Sequence, residues 1–467
     1  MRNRRIIVPG LALLLLIFAI PAIAQQRYEF SVRQAVDFAM KNSVQVKNAL
    51  IDISVQEQTN RELTGAAYPQ ITGNIGATYF PKVPVQSFPN FIAQGTYAVL
   101  EEEGVKNASG QPIVSPTDFG IIQAQFGTKY TGTAGLNLSQ LLFDGQVFVG
   151  LQARGTAMDM ARATAGVTQE QIKANVYKIY YQLLVGRRLT QTIDANIDRV
   201  SKLLSDTREI FKQGFAEKLD VDRLEVTLTN LRTDKVKVTN QLDAGLLGLK
   251  FLMGMPLKDN LILTDSISDD NLKRDILDTT YSYSDRKEYQ QLTFAEKLGE
   301  YNVKRYQLTR VPTVALIGTY SKNAQRNRFN FFDWNNPWFT TALVGININV
   351  PIFDGFARAS RIKRADYELQ QTRNMRENLE LMIDNEVETS RINLKNALLT
   401  VDFQRQNMTL AESVYHTAVK KYEQGLGSNL EITTANTELR TAQSNYYQSL
   451  YDAIIAKIDY FKATGKL

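Results

Sequence analysis

The chain has no cysteine, a single histidine, and few prolines and glycines for its 467 residues. Without cysteine there can be no disulfide bond, thiol nucleophile, thiolate metal site or lipid-modified N-terminal cysteine. One histidine, His416, cannot build a metal centre of several imidazoles. With 12 prolines and 27 glycines, long loops are scarce, so the composition favours long helices.

A long apolar run is also missing. The first residues carry a basic start, a short apolar block and then Ala22-Ile23-Ala24, which together predict a secretory signal peptide over residues 1–24. A retained membrane anchor is the alternative, but the block has about half of the roughly 20 residues that span a bilayer. No later segment reaches 18 apolar residues in a row, so the exported chain must enter any membrane as strands.

The charge balance and the motifs argue against several function classes. The net charge is +6, and removal of the three arginines of the signal peptide leaves about +3, which is too mild to indicate a nucleic-acid partner. No P-loop, H-E-x-x-H, G-x-S-x-G or glycine-rich dinucleotide fingerprint is present. The sequence therefore predicts no enzyme, no cofactor and no metal site.

An internal repeat organises the chain at an offset of about 210 residues. Residues 136–145 (LNLSQLLFDG) align with residues 346–355 (ININVPIFDG), and residues 211–215 (FKQGF) align with residues 422–426 (YEQGL). The sequence predicts two copies of one unit, of which the first carries about 33 extra residues between its two alternating segments.

Four segments of the chain alternate between apolar and polar residues, which is typical of strands with one apolar and one polar face. Tyr79, Tyr130, Tyr320 and Trp338 lie at the segment ends beside the loops, where an aromatic girdle at a membrane interface is expected. For any one segment, an ordinary half-buried sheet is an equally good interpretation, because membrane strands give a weak signal individually.

A helical pattern follows each Phe-Asp-Gly. Asp144 and Asp354 are placed as N-caps of proline-free runs of nearly 70 residues, each roughly 100 Å long as a helix. Their narrow heptad seam requires helical partners along the whole length. Gly214 and Gly425 then permit turns into a second helix, so each unit ends in a long antiparallel helical hairpin.

These patterns divide the chain into eight segments. We expect a signal peptide at 1–24, N-terminal helices at 25–67, two strands with a long extracellular loop at 68–143, a helical hairpin at 144–254, an irregular equatorial belt at 255–285, an ascending helix at 286–310, two strands with a short extracellular loop at 311–353, and a second helical hairpin with the C-terminus at 354–467. The long loop, residues 81–129, is expected to be a mobile surface segment or a shield over a pore.

Four strands cannot close a barrel, and open sheet edges are not tolerated in hydrocarbon. Several chains must therefore share one wall, and three copies would supply twelve strands and twelve helical strands under one symmetry operator. The predicted fold is mainly α with a membrane β-barrel: a trimeric 12-stranded β-barrel continued by a 12-helix α-barrel tunnel.

The duplicated strands and Phe-Asp-Gly, the turns at 211–215 and 422–431, and the opening FSVRQAV at 30–36 resemble the TolC-like outer-membrane efflux protein family. The resemblance covers essentially the whole mature chain. It implies a homotrimer in the lipid of a Gram-negative outer membrane, extending into the periplasm. It also implies docking onto a periplasmic adaptor protein and an inner-membrane transporter of the RND or ABC type.

Family resemblance further implies roles for residues at the two hairpin tips. Gly214, Phe215, Gly425, Leu426 and Ser428 would contact the helical hairpin of the adaptor. Simple helix-ending turns are the alternative interpretation, particularly for the glycines.

The same resemblance implies a narrow entrance just beyond the tips. Asp220, Asp222 and Glu431 would each form a ring of three carboxylates that favours cations, and Tyr422 would add an interhelical hydrogen bond or packing. A solvated helix face is an equally good interpretation of these charges.

The sequence is consistent with three functions. The first is the exit duct of a tripartite efflux system for drugs, dyes or metal ions. The second, in the same family, is the outer component of a type I polypeptide secretion system. The third, from another class, is a soluble periplasmic coiled-coil adaptor or scaffold, which would need no alternating strands.

Overall fold

The structure is a computed structural model that describes residues 27–267, 280–333 and 335–467. The predicted signal peptide, part of the predicted belt and Trp334 lie outside the described residues. The chain divides into two compact units. The helical unit holds the described residues of 1–58, 154–300 and 366–467, and the sheet unit holds those of 59–153 and 301–365.

The elements of the described residues follow the predicted duplicated order. The helices are α1 (Val32–Asn42), α2 (Val44–Gly65), α3 (Phe91–Glu102), α4 (Gly145–Lys212), α5 (Lys218–Met253), α6 (Lys287–Gln307), α7 (Ala357–Glu423) and α8 (Asn429–Ala463). The strands are β1 (Arg27–Phe30), β2 (Gln70–Tyr79), β3 (Val85–Pro89), β4 (Ile121–Gln125), β5 (Tyr130–Phe143), β6 (Asn260–Leu263), β7 (Thr313–Arg326) and β8 (Phe339–Asn349). Over this part of the chain, none of the helices is both long enough and apolar enough to span a membrane.

The sheet unit is built on an antiparallel sheet with the strand order β2–β5–β7–β8. Its register pairs Ile75 with Ala134 and Leu136 with Tyr320, so the apolar positions of neighbouring strands share one face. In this chain, β2 and β8 each have a neighbour on one side only. The backbone donors and acceptors on the outer sides of these two strands therefore have no strand partner within the sheet.

Regular structure fills part of the predicted long extracellular loop. Strands β3 and β4 pair antiparallel, and α3 lies between them in the chain. Asn90 caps α3, because its Oδ1 accepts a hydrogen bond from the backbone N–H of Ala93 at 3.0 Å. No sequence pattern predicts these elements, which form a small insertion between β2 and β5.

A predicted aspartate precedes each long helix: Asp144 is the residue directly before α4, whereas α7 begins at Ala357, three residues after Asp354, so the prediction of an N-cap is wrong for Asp354. The N–H of Gln146 donates to Oδ1 of Asp144 at 2.7 Å, and the N–H of Arg358 donates to Oδ2 of Asp354 at 2.9 Å. Each carboxylate satisfies a backbone donor that the first turn of a helix leaves unpaired. The duplicated Phe-Asp-Gly therefore precedes a long helix in both repeats, directly in the first and through a turn at Gly355 and Phe356 with positive φ in the second.

In each of the two hairpins of the helical unit, an apolar seam holds the two helices together. Val200 and Leu204 of α4 pack with Leu224 and Leu228 of α5. In the second hairpin, the equivalent cluster between α7 and α8 consists of Tyr415, Ala418, Ile432, Ala435 and Leu439. These residues recur at spacings of three and four, as the predicted heptad seam requires.

The predicted irregular belt contains a strand. Strand β6 pairs parallel with β1, in a register that runs from Arg27 opposite Asn260 to Phe30 opposite Leu263. The hydroxyl of the buried Tyr180 donates to the Phe30 carbonyl at 2.8 Å, and burial raises the pKa of Tyr180. The segment predicted as an irregular belt, 255–285, thus includes one short strand, β6.

Tyrosine hydroxyls attach the segment before α6 to α7. Tyr281 and Tyr283 both donate to Oδ1 of Asp384, at 2.7 and 2.9 Å. The hydrogen bond to the carboxylate, with smaller contributions from burial and nearby charge, raises the pKa of Tyr281 to about 12. The neutral phenol is thus the form that this contact stabilises.

Candidate functional site

The two predicted tips are turns with the same backbone geometry. Gly214 and Gly425 both adopt positive φ, at 82° and 74°. The N–H of Gly214 donates to the Phe211 carbonyl, and the N–H of Gly425 donates to the Tyr422 carbonyl, both at 2.9 Å. In each turn the N–H of the next residue donates to the preceding carbonyl, from Phe215 to Ile210 and from Leu426 to Lys421. Both turns are therefore Schellman motifs, which end a helix on a left-handed residue.

Large apolar side chains next to these glycines are exposed. Phe215 is 84% exposed and Leu426 is 77% exposed, although apolar residues of this size usually pack inside a protein. Ser428 is the N-cap of α8, where its side chain accepts from the N–H of Glu431 at 3.3 Å. The tips thus present an apolar side chain beside a glycine of positive φ, while Ser428 has a clear structural role as a cap.

The predicted acidic residues occupy the first turns after the tips. Asp220 is half-buried, and its Oδ2 accepts from the N–H of Glu217 at 3.4 Å, so it caps α5. Asp222 and Glu431 are exposed. Tyr422 is half-buried and packs beside the Ile432 cluster of the second hairpin. The rings of carboxylates remain a prediction, since they require further copies of the chain.

Asn429, which is not among the predicted site residues, connects the two tips. Its Nδ2 donates to the backbone carbonyl of Asp220 at 3.1 Å, and the residue is buried. Asn436, also buried, and Gln443, whose Oε1 accepts from Asn196, follow at intervals of seven along α8. A row of amides within an otherwise apolar heptad seam is the signal that points to this contact.

The sheet of the sheet unit has one apolar face, and that face is exposed. Ile75 is 92% exposed and Val344 is 81% exposed. The other apolar positions on the same face are Ile71, Ala77 and Tyr79 of β2, Tyr130, Ala134, Leu136 and Leu138 of β5, Val314, Leu316 and Tyr320 of β7, and Ala342, Ile346 and Ile348 of β8. Most of the side chains on this face are exposed, although Leu138, Val314 and Leu316 are half-buried. A largely exposed apolar surface of this kind indicates an apolar environment or a partner.

Polar side chains on the opposite face bond to one another across the strands. Asn137 Nδ2 donates to Asn74 Oδ1 at 3.0 Å, and the hydroxyl of Thr319 donates to Asn137 Oδ1 at 3.1 Å. Nearer the β7–β8 turn, Asn323 Nδ2 donates to the Thr341 hydroxyl at 3.1 Å. This face can therefore border water, whereas the opposite face is suited to an apolar environment.

Three of the four predicted interface aromatics gather near the ends of the strands. Tyr79 and Tyr130 stack with their ring centroids 4.8 Å apart. Tyr130 also contacts Phe329, and Trp338 contacts Phe331 with centroids 6.1 Å apart. Tyr320 lies further along the same face, beside Leu136 and Ala342. Their place at a membrane interface remains a prediction.

The described parts of the chain offer no metal centre. Among residues 27–267, 280–333 and 335–467, no three His, Asp or Glu side chains group in a way that would hold a metal ion. His416 is exposed, and its ring lies beside Tyr415 with centroids 5.8 Å apart.

Comparison with known proteins agrees with this architecture. Residues 285–466 match the family model described as outer membrane efflux protein. Outer membrane protein TolC of Salmonella enteritidis is 20% identical over 343 residues, covering 72% of this chain and 69% of the relative. The proteases secretion protein PrtF of Dickeya chrysanthemi is 21% identical over 242 residues, covering 51% of this chain and 52% of the relative.

Solved structures share the fold across nearly the whole chain. The crystal structure of the outer membrane protein VceC of Vibrio cholerae superposes with a TM-score of 0.69 at 15% identity, covering 93% of this chain and 96% of that chain. The duplicated strands and hairpins, the family match over the second repeat and these relatives agree. Residues 285–466 therefore carry an outer membrane efflux protein domain, and the chain as a whole is similar to TolC in sequence and to VceC in fold.

Proposed function

We propose that this protein is the outer-membrane exit duct of a tripartite efflux system, which carries small molecules such as drugs, dyes or metal ions from the periplasm to the exterior. As a duct it binds no cofactor and catalyses no reaction. The energy for export would come from the inner-membrane partner.

The observation that carries the proposal is a four-stranded sheet with an exposed apolar face, a hydrogen-bonded polar face and two open edges. The strands have 10, 14, 14 and 11 residues, and about 9–11 tilted residues span a bilayer. Open edges are costly in hydrocarbon, because each unpaired backbone group loses its hydrogen bonds to water. Pairing of β8 with β2 of a second copy would remove both edges and keep the sheet antiparallel.

We infer a homotrimer from the same requirement. Three copies would give the twelve strands and the twelve helical strands that the sequence analysis predicts. The polar face would then line a water-filled lumen, and the apolar face would contact the outer-membrane lipid.

The tips would be the docking site for a periplasmic adaptor, which connects the duct to an inner-membrane transporter of the RND or ABC type. Phe215 and Leu426 would enter gaps on the adaptor surface, and Gly214 and Gly425 would permit close backbone approach. Asp220, Asp222 and Glu431 would narrow the entrance with carboxylates, with Tyr422 packed beside them.

A second candidate function is the export of polypeptides in a type I secretion system. The similarity to a protein named for protease secretion favours it, although over only about half of either chain. The two functions use the same duct and differ in the inner-membrane transporter.

Reconstitution tests the proposal. The mature protein, with candidate adaptors and transporters encoded beside it, is expressed in a Gram-negative strain that lacks its own efflux duct. Restored resistance to dyes with a proton-driven pump supports the efflux function, whereas export of a polypeptide with an ATP-driven transporter supports the second candidate. Failure with every partner, together with no channel activity of the purified protein in planar bilayers, would overturn both.

A further inference from the structure

The connection between β7 and β8, which comprises the described residues of 327–338, folds back onto the apolar face of the sheet. Phe331 lies directly above Gly132, where a Cβ atom would come within 2.7 Å of its ring. Only a residue without a side chain fits beneath that ring without displacement of the loop. Ala324 and the side chain of Arg326, at the end of β7, are both buried.

Hydrogen bonds fix this loop in place. The guanidinium of the buried Arg326 donates through Nη2 to the Pro337 carbonyl at 2.8 Å and through Nη1 to the Gln325 carbonyl at 3.1 Å. Within the loop, Asp333 accepts from the N–H of Asn335 and from Nδ2 of Asn336, at 3.1 and 2.8 Å. The aromatic side chains that the loop carries are therefore held in position before any ligand arrives.

Between the loop and the sheet lies a cleft of about 680 Å³, which is within the range of roughly 300–1,000 Å³ that ligand sites occupy. Its sheet side consists largely of small or aliphatic residues, among them Ile75, Ala77 and Ala134. Its loop side carries aromatic rings, of which Phe329 and Phe332 contact each other with centroids 6.4 Å apart.

One cation lines this apolar cleft. Lys322 of β7 pairs with Ala134 and Thr340, is exposed, and lies on the apolar face of the sheet. No acidic side chain stands among the described residues that line the cleft. A lysine on a lipid-facing surface is unfavourable at depth, so its position beside a hydrocarbon-sized cleft points to an anionic partner.

We propose that this cleft binds an anionic membrane lipid, with acyl methylenes between the loop aromatics and Ala134 and with the headgroup phosphate at the ammonium of Lys322. The site rests on the proposed function, because the apolar face meets lipid only if the sheet spans a membrane. It goes beyond that function by naming one lipid chemistry at one position. A zwitterionic lipid would fill the cleft equally well but would gain less from Lys322.

Tryptophan fluorescence tests the site. The chain has two tryptophans, at positions 334 and 338, and Trp338 lines the cleft. In a Trp334→Phe background, the full trimer is reconstituted into vesicles that contain either dibrominated phosphatidylglycerol or dibrominated phosphatidylcholine, because bromine quenches tryptophan only at contact range. We expect phosphatidylglycerol to bind beside Trp338 about five-fold more strongly than phosphatidylcholine does. This is the preference that one lysine supplies near a charged lipid surface.

Two lysine variants decide between this site and general membrane charge. Lys322→Gln should bring the ratio of phosphatidylglycerol to phosphatidylcholine binding close to one, whereas Lys322→Arg should retain the preference of about five-fold. Lys106→Gln is the matched control, because Lys106 lies in the insertion between β2 and β5 and does not line the cleft. The proposal is wrong if the wild type shows no preference or if Lys322→Gln keeps it.

The same measurement separates this proposal from the proposed function. Quenching by phosphatidylcholine places Trp338 in the bilayer whatever the lipid preference is. If that quenching is seen without an anionic preference, the lipid site fails and the membrane-spanning sheet stands. If neither lipid quenches Trp338, both the lipid site and the membrane placement of the sheet are wrong.

Discussion

Asn429 donates a hydrogen bond from Nδ2 to the carbonyl of Asp220 at 3.1 Å and so joins the first turn of α8 to the first turn of α5. The donor and the acceptor belong to different repeats of the chain. Each tip is closed by its own Schellman turn, but this contact links the turn of one hairpin to the turn of the other. This buried amide therefore helps to fix the position of one tip relative to the other.

Removal of that amide should loosen the tips. Asn429→Ala deletes the donor, and we expect a loss of about 1 kcal/mol, as for one net hydrogen bond, with faster amide exchange over residues 217–222. Hydrogen exchange followed by mass spectrometry measures the change. Thr437→Ala is the control, because that hydroxyl bonds only within α8. Equal exchange in Asn429→Ala and in the wild type would contradict the link.

The tip glycines should be required for docking. A Cβ at Gly425 would meet nothing within 4 Å, so a large residue there costs only the strain of its positive φ, about 1 kcal/mol. We expect Gly425→Leu to abolish export while the oligomer remains intact. Gly104→Leu is the matched control, since Gly104 also has positive φ and open space but lies in the insertion. Normal export by Gly425→Leu would argue against docking at the tip.

Carboxylates near the tips should set ion preference. Asp220→Asn combined with Glu431→Gln removes two charges per chain, while the amide introduced at position 220 keeps an oxygen that can accept from the N–H of Glu217. In planar bilayers with a salt gradient, we expect the reversal potential to move toward zero as cation preference falls. Glu412→Gln, an exposed change elsewhere on α7, should have no effect. An unchanged reversal potential in the double variant would show that Asp220 and Glu431 do not set the ion preference at the entrance.

Stability should fall at high pH through Tyr281. Its pKa is about 12 in the folded chain against an ordinary 10.0, because the phenol donates to Asp384. Below pH 10 this contribution is complete, and between pH 10 and 12 the unfolded chain releases a proton that the folded chain keeps, so stability falls as pH rises. Tyr281→Phe and Asp384→Asn should both melt with a shallower pH slope in that window. A slope as steep as that of the wild type would contradict this assignment.

The repeated elements could be predicted from the sequence because their signals are local. The cap Asp144, the turns at Gly214 and Gly425, and the alternating strands all depend on residues within a few positions of one another. The same signal appears twice in the chain, so each copy supports the interpretation of the other.

The features that were missed depend on distant partners or on misleading local preferences. Pairing of β1 with β6 joins segments that are far apart in the chain, and neither strand is long enough to give a pattern. Helix α3 contains Gly95 and several β-formers, so its local preference favours other structure. The link from Asn429 to Asp220 required the packing of two hairpins, which no local spacing reveals.

The proposed duct requires that one chain supplies only part of a wall that identical copies complete. The most direct test is the mass of the purified mature protein in detergent, measured by light scattering with the detergent contribution subtracted. We predict the mass of three chains and precipitation when the detergent is withdrawn. A monodisperse single chain that stays folded in plain buffer would contradict the account.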